Sequence, residues 1–233
     1  MSSKRSLGIL VCGHTPEEMV ESHGDYGKRF QEYLGVDSFD YQVYFVVDKQ
    51  FPENIHAADA WLLTGSKHGV YEDHDWIKPL EQFVRGAYAS DIPLVGICFG
   101  HQLLAQALGG KVEKFDGGWA TGRMEYNMDE SIVGVSDAAV LAWHQDQVVE
   151  LPPDATVVGS NKFCQYAALA YGDGKALSLQ PHPEFYDEFV SDLVITRGGT
   201  IPDENREYAS NSIGKPLSND TIASTLRKFL TRS

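Results

Sequence analysis

The segment that constrains this chain most is an apolar run that leads into a cysteine between two glycines. The run 94–97 has the size of a buried strand, and Gly96-Ile97-Cys98-Phe99-Gly100 carries it into a turn. A helical stripe of leucine and alanine follows at 103–108, and Gly109 marks its end. A nucleophile elbow has the pattern Gly-x-nucleophile-x-Gly, and cysteine is the nucleophile in this one.

The geometry of such a turn predicts the chemistry of Cys98. A tight strand-to-helix turn strains its central residue and needs small neighbours, because strand and helix nearly collide there. The thiol would project above the sheet at a helix N-terminus, whose partial positive charge favours the thiolate. The N–H of Phe99 would point to where an oxyanion forms. The alternative is a small buried hydrophobe, as most free cysteines are, but the glycine spacing favours the nucleophile.

The order of the predicted elements indicates the fold class. Apolar runs predict strands at 7–12, 41–47, 60–63 and 94–97. Helical patterns between and after them lie at 24–34, 76–88 and 99–108. This alternation predicts an α/β fold with an open, mostly parallel sheet and helices on both faces.

After Gly110 the pattern changes to short strands that are separated by turn residues, which predicts added antiparallel strands. They are predicted at 111–115, 121–128, 139–143, 146–151 and 155–160, with a hairpin formed by 166–171 and 175–180. Helices follow at 189–197 and 219–230, and the polar stretch 198–218 is either partly disordered or holds a helix at 202–210. We expect a single domain, 1–233, with a core at about 5–186 and a C-terminal helical extension at 187–233.

Composition excludes several classes of partner. The formal charge of −14 and the pI near 4.9 argue against binding to nucleic acid or to anionic membranes. No apolar run reaches the roughly 18 residues of a membrane span. The stretch 1–13 resembles a signal peptide superficially, but its apolar part is short and is interpreted as a first strand. Three widely spaced cysteines suit a reducing cytoplasm rather than a disulfide framework.

A cysteine nucleophile needs a base, and His182 is the strongest candidate among the eight histidines. It follows a predicted strand and lies between two prolines that stiffen the backbone. Glu184 is two residues further on and points to the same side of an extended segment, so it can orient the imidazole. The alternative for His182 alone, a satisfied surface histidine, is weakened by this context and by the elbow.

Three segments together resemble a class I, triad-type glutamine amidotransferase domain, such as the glutaminase part of GMP synthase. They are Gly-Ile-Cys-Phe-Gly-His-Gln at 96–102, Gln-Pro-His-Pro-Glu at 180–184 and Leu-Leu-Thr-Gly-Ser at 62–66. The resemblance covers about residues 40–186 and implies the flavodoxin-like fold of that family.

The resemblance also implies roles for three residues. Cys98 would attack the side-chain amide of glutamine and form a γ-glutamyl thioester, which water hydrolyses after ammonia has left. His182 would be the general base and acid, and Glu184 the orienting carboxylate.

By the same resemblance the oxyanion hole would be formed by the N–H groups of Phe99 and Ser66, with Gly65 shaping the second loop. Serine stands where the family usually has glycine, which allows backbone conformations that serine resists. Two alternatives stay open: the hole is less preformed, or the loop lies in an allowed region.

The remaining substrate contacts rest on the resemblance alone. Gln102 would touch the bound glutamine, although a solvent-facing residue in the first helical turn is the alternative. The segment Trp143-His144-Gln145-Asp146 would bind the α-amino and α-carboxyl groups. His101, Cys12 and Cys164 are interpreted as structural residues.

The stretch 68–75 is a dense polar run with two histidines and three acids. Its members are His68, Tyr71, Glu72, Asp73, His74 and Asp75. Their spacing fits no zinc pattern with a paired second half, which favours a solvated loop near the mouth of the active site. We expect no metal and no cofactor.

Two interpretations of the activity remain. The chain has no Gly-x-x-x-x-Gly-Lys-Ser/Thr loop, so it does not itself activate an acceptor with ATP. It is either a glutaminase that passes ammonia to a separate synthase subunit, or a stand-alone enzyme that cleaves a γ-glutamyl bond in a small molecule or peptide. Free-standing relatives of this kind include γ-glutamyl peptidases, and the C-terminal extension favours a stand-alone chain.

Further alternatives are a non-catalytic binding or regulatory protein on the same fold and a cysteine hydrolase of the intracellular-protease type, in which Pro-His-Pro-Glu is not expected.

Overall fold

The structure is a computed structural model that describes residues 4–232. Within them the first half alternates strands and helices: β1 (Ser6–Leu10), α1 (Glu17–His23), α2 (Tyr26–Leu34), β2 (Asp40–Tyr44), β3 (Ala60–Leu63), α3 (Ile77–Ala89), β4 (Leu94–Ile97) and α4 (Phe99–Ala107). The second half begins with β5 (Lys111–Lys114), β6 (Ala120–Met128), α5 (Glu130–Val133), β7 (Asp137–His144), β8 (Asp146–Glu150) and β9 (Ala155–Ser160). It ends with β10 (Ala168–Tyr171), β11 (Ala176–Leu179), α6 (Asp187–Arg197), α7 (Asp203–Ser212) and α8 (Asn219–Leu230).

Nine of these strands form one sheet in the order β2-β1-β3-β4-β11-β10-β9-β6-β7. The five strands from β2 to β11 run parallel, and the pairings from β11 to β7 are antiparallel. The predicted α/β fold with added antiparallel strands is therefore confirmed. β5 and β8 pair with each other in a separate antiparallel ribbon.

Both faces of the parallel strands β1, β3, β4 and β11 are buried, as their continuous apolar runs predict, whereas the edge strand β2 is only half-buried. Neighbouring residues on β1 belong to different cores: Ile9 packs in one with Phe30 of α2, and Leu10 in the other with Leu80 of α3. The first core also takes in Leu226 of α8, and in this way the C-terminal extension covers the same face of the sheet as α2.

Two local predictions differ from the structure, and one open alternative is decided by it. Helix α1 was not predicted, because only Met19 and His23 are buried on it, and a single buried apolar residue gives no periodic signal. The strand predicted to run to 47 stops at Tyr44, and Val46–Asp48 is a 3₁₀ turn. The stretch 198–218 contains helix α7, so the helical alternative is correct there.

The turn from β4 to α4 has the strain that the elbow pattern predicts. Cys98 has φ 53° and ψ −102°, a conformation that costs on the order of 1–3 kcal/mol for a residue with a side chain. Gly96 and Gly100 are needed for space rather than for a positive φ. A Cβ on Gly100 would lie 2.5 Å from the carbonyl oxygen of Leu63, and one on Gly96 would overlap the carbonyl of Gly100.

Within residues 4–232, no helix combines the length and the apolar character that crossing a bilayer requires.

We expect Gly96→Ala to lower the free energy of unfolding by about 1–3 kcal/mol, because the added methyl group must displace backbone atoms of α4. Gly199→Ala is the matched control, since a Cβ there meets no atom within 4 Å and should change stability by less than about 0.5 kcal/mol. Urea unfolding of the three proteins measures both values. Equal stability of Gly96→Ala and the unmodified chain would contradict the close approach of strand and helix.

Candidate active site

The ends of two neighbouring parallel strands bring the predicted catalytic residues together. β11 lies beside β4, and the N–H of Cys98 donates to the carbonyl of Leu179 at 2.8 Å. The chain continues from β11 to His182, whose N–H donates to the carbonyl of Leu141 on β7 at 2.8 Å. Both side chains approach Gly65: a Cβ there would lie 3.7 Å from the Cβ of Cys98 and 2.8 Å from Cε1 of His182.

The carboxylate predicted to orient the imidazole does contact it. Nδ1 of His182 donates to Oε1 of Glu184 at 2.7 Å, and both side chains are buried, with 4% and 0% exposed. This bond leaves Nε2 as the ring nitrogen that is free to exchange a proton with sulfur. The structure therefore places the hydrogen-bonded pair of His182 and Glu184 beside Cys98, the grouping that a catalytic triad would require.

Two neighbours fix the plane of the His182 ring. Phe185 stacks on it with 3.9 Å between ring centroids and 7° between the planes. On the side of Cε1, a Cβ on Gly65 would come within 2.8 Å of the ring. Gly65 has no positive φ, so its glycine is required by the histidine and not by the turn.

The charges around His182 determine its protonation. Burial lowers its pKa, but the negative charges of Cys98 and Glu184 and their hydrogen bonds outweigh burial and raise the pKa from 6.5 to about 10. The imidazole is therefore protonated at neutral pH. A positive charge beside a cysteine favours the thiolate, which is its reactive form.

The two predicted oxyanion donors are positioned by different elements. Phe99 is the first residue of α4, so its N–H has no acceptor within the helix. Ser66 lies in the loop after β3, outside the left-handed region of φ, so the serine that replaces the usual glycine is accommodated without strain. Gly13 permits this, because a Cβ there would lie 2.8 Å from the Ser66 Cα.

Cys98 and His182 line a cavity of about 400 Å³. Five of the seven other residues predicted to form the oxyanion hole or to contact substrate line it too: Ser66, Gln102, His144, Gln145 and Asp146. Gly65 and Phe99 are not part of this lining and contribute through the backbone and through room for His182.

Gln102 is buried, and the solvent-facing alternative for it is wrong. Its Nε2 donates to the carbonyl of Asp146 at 2.9 Å and to Oε1 of Gln180 at 3.1 Å. The side chain therefore connects α4 with β8 and with the end of β11 behind the cavity wall.

His144 and Asp146, which both line the cavity, have different electrostatic surroundings. Burial and the positive charge of His182 lower the pKa of His144 to about 3, so this ring is neutral. Asp146 accepts a hydrogen bond from the hydroxyl of Tyr71 at 3.0 Å, and burial raises its pKa. Sequence reasoning named Tyr71 only as part of a polar run and gave no signal for this contact.

His101 is buried, and its Nδ1 lies 2.7 Å from the hydroxyl of Ser178 on β11. Burial and the charge of His144 lower the pKa of His101 to about 3. Cys12 and Cys164 are free and buried. These three residues pack in the interior, as the sequence analysis expected.

The polar run 68–75 lies at the mouth of the cavity, where it was expected, but it is not simply solvated. His68 and Glu72 line the cavity, and the side chain of His68 is only 21% exposed. Nitrogen atoms of His68 and His74 and an oxygen of Glu72 lie within 4.8 Å of one another. The sequence spacing did not reveal this convergence.

Other residues that line the cavity were not identified from the sequence. His14, Tyr26 and Trp119 contribute from loops and helices of the core, and Arg197 and Thr200 contribute from the C-terminal extension. These residues share no motif and are far apart in the sequence, so only the fold brings them together.

Comparison with known proteins gives a consistent result. The family model described as glutamine amidotransferase class-I matches residues 25–190. The chain is 29% identical to gamma-glutamyl peptidase 4 of Arabidopsis thaliana, over 92% of this chain and 90% of that one. It is 36% identical to a glutamine-hydrolyzing GMP synthase of Thermus thermophilus, over 55% of this chain but only 25% of the synthase.

The fold also matches a solved structure. A crystal structure of a glutamine amidotransferase from Thermotoga maritima superimposes with a TM-score of 0.74 at 21% identity, covering 99% of this chain and 97% of the other. At this identity the match bears on the fold, which agrees with the sheet described above.

The raised pKa of His182 has a testable sign. Its folded-state value, about 10, exceeds the ordinary 6.5, so the protonated ring contributes stability that is fully present below pH 6.5 and is lost as the pH rises towards 10. We expect Glu184→Gln to lower the pH at which the ring titrates, because the neutral amide no longer stabilises the imidazolium. NMR of labelled imidazole groups measures this midpoint.

Glu188→Gln, on the exposed side of α6, is the control and should leave the titration of His182 unchanged. A midpoint at or below 6.5 in the unmodified protein would contradict the raised pKa of His182.

Proposed function

The chain belongs to the class-I glutamine amidotransferase family, a family of enzymes, and we propose that it hydrolyses γ-glutamyl amides through a thioester on Cys98. The observation that carries this proposal is the buried, hydrogen-bonded pair of His182 and Glu184 beside the strained Cys98 at the wall of the cavity. A non-catalytic binding protein would have no need for a strained cysteine paired with a charged histidine.

The first half of the reaction forms the thioester. The Cys98 thiolate attacks the γ-carbonyl carbon, and the N–H groups of Phe99 and Ser66 stabilise the resulting oxyanion. His182, already protonated, donates its proton to the leaving nitrogen as the C–N bond breaks. Ammonia or an amine leaves, and a γ-glutamyl thioester remains on Cys98.

The second half restores the enzyme. His182, now neutral, takes a proton from a water molecule that attacks the thioester carbon. The C–S bond breaks, glutamate is released, and the thiolate and the imidazolium form again. Glu184 keeps Nδ1 protonated throughout, so that Nε2 remains the nitrogen that exchanges protons.

Of the two forms of this activity, the lining of the cavity favours a stand-alone γ-glutamyl peptidase. Lys67, Lys114 and Arg197 line it in a chain whose net charge is −14. A γ-glutamyl peptide carries a carboxylate on the part that leaves, which such cations can bind. Glutamine releases only ammonia, which carries no carboxylate.

The second candidate is a glutaminase that supplies ammonia to a separate synthase subunit. The similarity to the glutamine-hydrolyzing GMP synthase supports it, because that protein is named for the hydrolysis of glutamine. The cations at the cavity would then have no carboxylate of the leaving group to bind. The preference between glutamine and γ-glutamyl peptides therefore distinguishes the two candidate functions.

We place this activity in the cytoplasm. All three cysteines are free, which supports a reducing compartment, where the thiolate is preserved.

The catalytic roles are tested by glutamate release from glutamine and from glutathione. We expect Cys98→Ser and His182→Ala to lower kcat by about 10⁴-fold or more, since triad members act as a unit. Glu184→Gln should cost less, about 10–100-fold, because the amide keeps a hydrogen bond to the ring. Cys164→Ala, which removes a buried thiol away from the cavity, is the control, and substantial activity in Cys98→Ser would refute the thioester.

The preference between substrates is tested at the C-terminal extension. We expect Arg197→Ala to raise KM for glutathione about tenfold, the value of one charge-assisted hydrogen bond, and to leave kcat/KM for glutamine unchanged. Arg206→Ala removes a cation of α7 that pairs with Asp203 and serves as the matched control. Rapid turnover of glutamine with none of glutathione would favour the ammonia-supplying form instead.

A further inference from the structure

Three potential metal ligands converge in the loop between β3 and α3, outside the catalytic residues. Nε2 of His74 lies 2.7 Å from Oε2 of Glu72, and Nδ1 of His68 lies 3.3 Å from the same oxygen. All three ligand atoms lie within 4.8 Å of one another. A single carboxylate oxygen is therefore shared by two imidazole nitrogens.

The backbone of the loop produces this convergence. The N–H of Glu72 donates to the carbonyl of Gly69 at 3.0 Å, and the N–H of His74 donates to the carbonyl of Glu72 at 3.0 Å. The N–H of Ile77 then donates to the carbonyl of His74 at 3.1 Å as α3 begins. These tight turns fold the chain back, so that side chains four and two residues from Glu72 face it.

The two histidine rings also pack against a buried tryptophan. Trp76 is buried, and its ring is nearly parallel to that of His74, with 6.1 Å between centroids and 18° between planes. His68 packs against the same tryptophan at 6.0 Å and against His74 at 4.2 Å. Rings supported in this way lose little further freedom when they bind a ligand, which favours binding.

Two imidazole nitrogens and one carboxylate oxygen are a donor set that zinc uses, with a fourth position left for water. Zinc bonds to such ligands are about 2.0–2.2 Å long, so an ion can bridge atoms that lie this close after small side-chain shifts. It would replace the protons that the two rings now share with Glu72. The net charge of −14 raises the local concentration of cations.

We propose that His68, Glu72 and His74 bind a divalent transition-metal ion, with Zn²⁺ as the best fit, at the mouth of the catalytic cavity. The site goes beyond the proposed reaction and takes no part in its chemical steps. It acts on the loop that carries Ser66, whose Oγ accepts a hydrogen bond from the N–H of His68 at 3.2 Å. A bound ion ties this loop to the start of α3 and fixes the second oxyanion donor.

The test is a calorimetric titration of the full chain with Zn²⁺. The Cys98→Ser background is used, because a thiolate beside an imidazole can itself bind zinc. We expect one equivalent to bind, and His68→Ala or His74→Ala to weaken binding by more than about 100-fold, the upper end of what loss of a supporting outer partner costs. His56→Ala, an exposed histidine outside the cluster, is the matched control and should bind as the background does.

Glu72→Gln provides a second variant, since it keeps the size of the side chain and the packing of both rings. Zn²⁺ should raise the melting temperature of Cys98→Ser but not of Cys98→Ser with Glu72→Gln, and melting without metal shows that both proteins are folded.

Two results would overturn the proposal. One is binding that disappears in Cys98→Ser and persists in His74→Ala, which would place the ion on the catalytic thiol. The other is an affinity that is the same with and without the three residues, which would leave a cluster held only by hydrogen bonds.

Discussion

The parallel pairing of β11 with β4 is the constraint on which the rest of the site depends. β4 ends at the cysteine and β11 ends shortly before the histidine, and the register places Leu179 opposite Ile97. Because the carboxyl ends of neighbouring parallel strands meet at one edge of the sheet, two residues from distant parts of the sequence become adjacent. The N–H of Cys98, which donates to Leu179, locks this register at the elbow itself.

The sequence predicted those parts of the protein whose cause is local. The glycines around Cys98 are required by atoms of the same turn and of the neighbouring strand, and the two-residue spacing from His182 to Glu184 is set by extended backbone. Such features can be recognised in the sequence within a stretch of five residues. The apolar runs of the parallel strands are equally local, since burial on both faces permits little else.

What the sequence did not predict depends on loops and on distant packing. Tyr71 reaches Asp146 from another loop, and Arg197 reaches the cavity from beyond the last strand. His68 and His74 meet at Glu72 only because consecutive backbone turns reverse the chain, and the spacing by itself fits no known zinc pattern. Helix α1 is a further case, since its stability comes from the tertiary contacts of two residues and not from its own periodicity.

Electrostatics separates the buried histidines into two kinds and so supports the assignment of roles. His101, His144 and His182 are all buried near the cavity, and burial alone would leave each of them neutral. Only His182 has a carboxylate and a thiolate as neighbours, and only its pKa is raised, whereas the pKa values of the other two fall to about 3. The charge on His182 in turn keeps His144 neutral. One proton is thereby confined to the one ring that lies beside Cys98, which is the condition a proton shuttle requires.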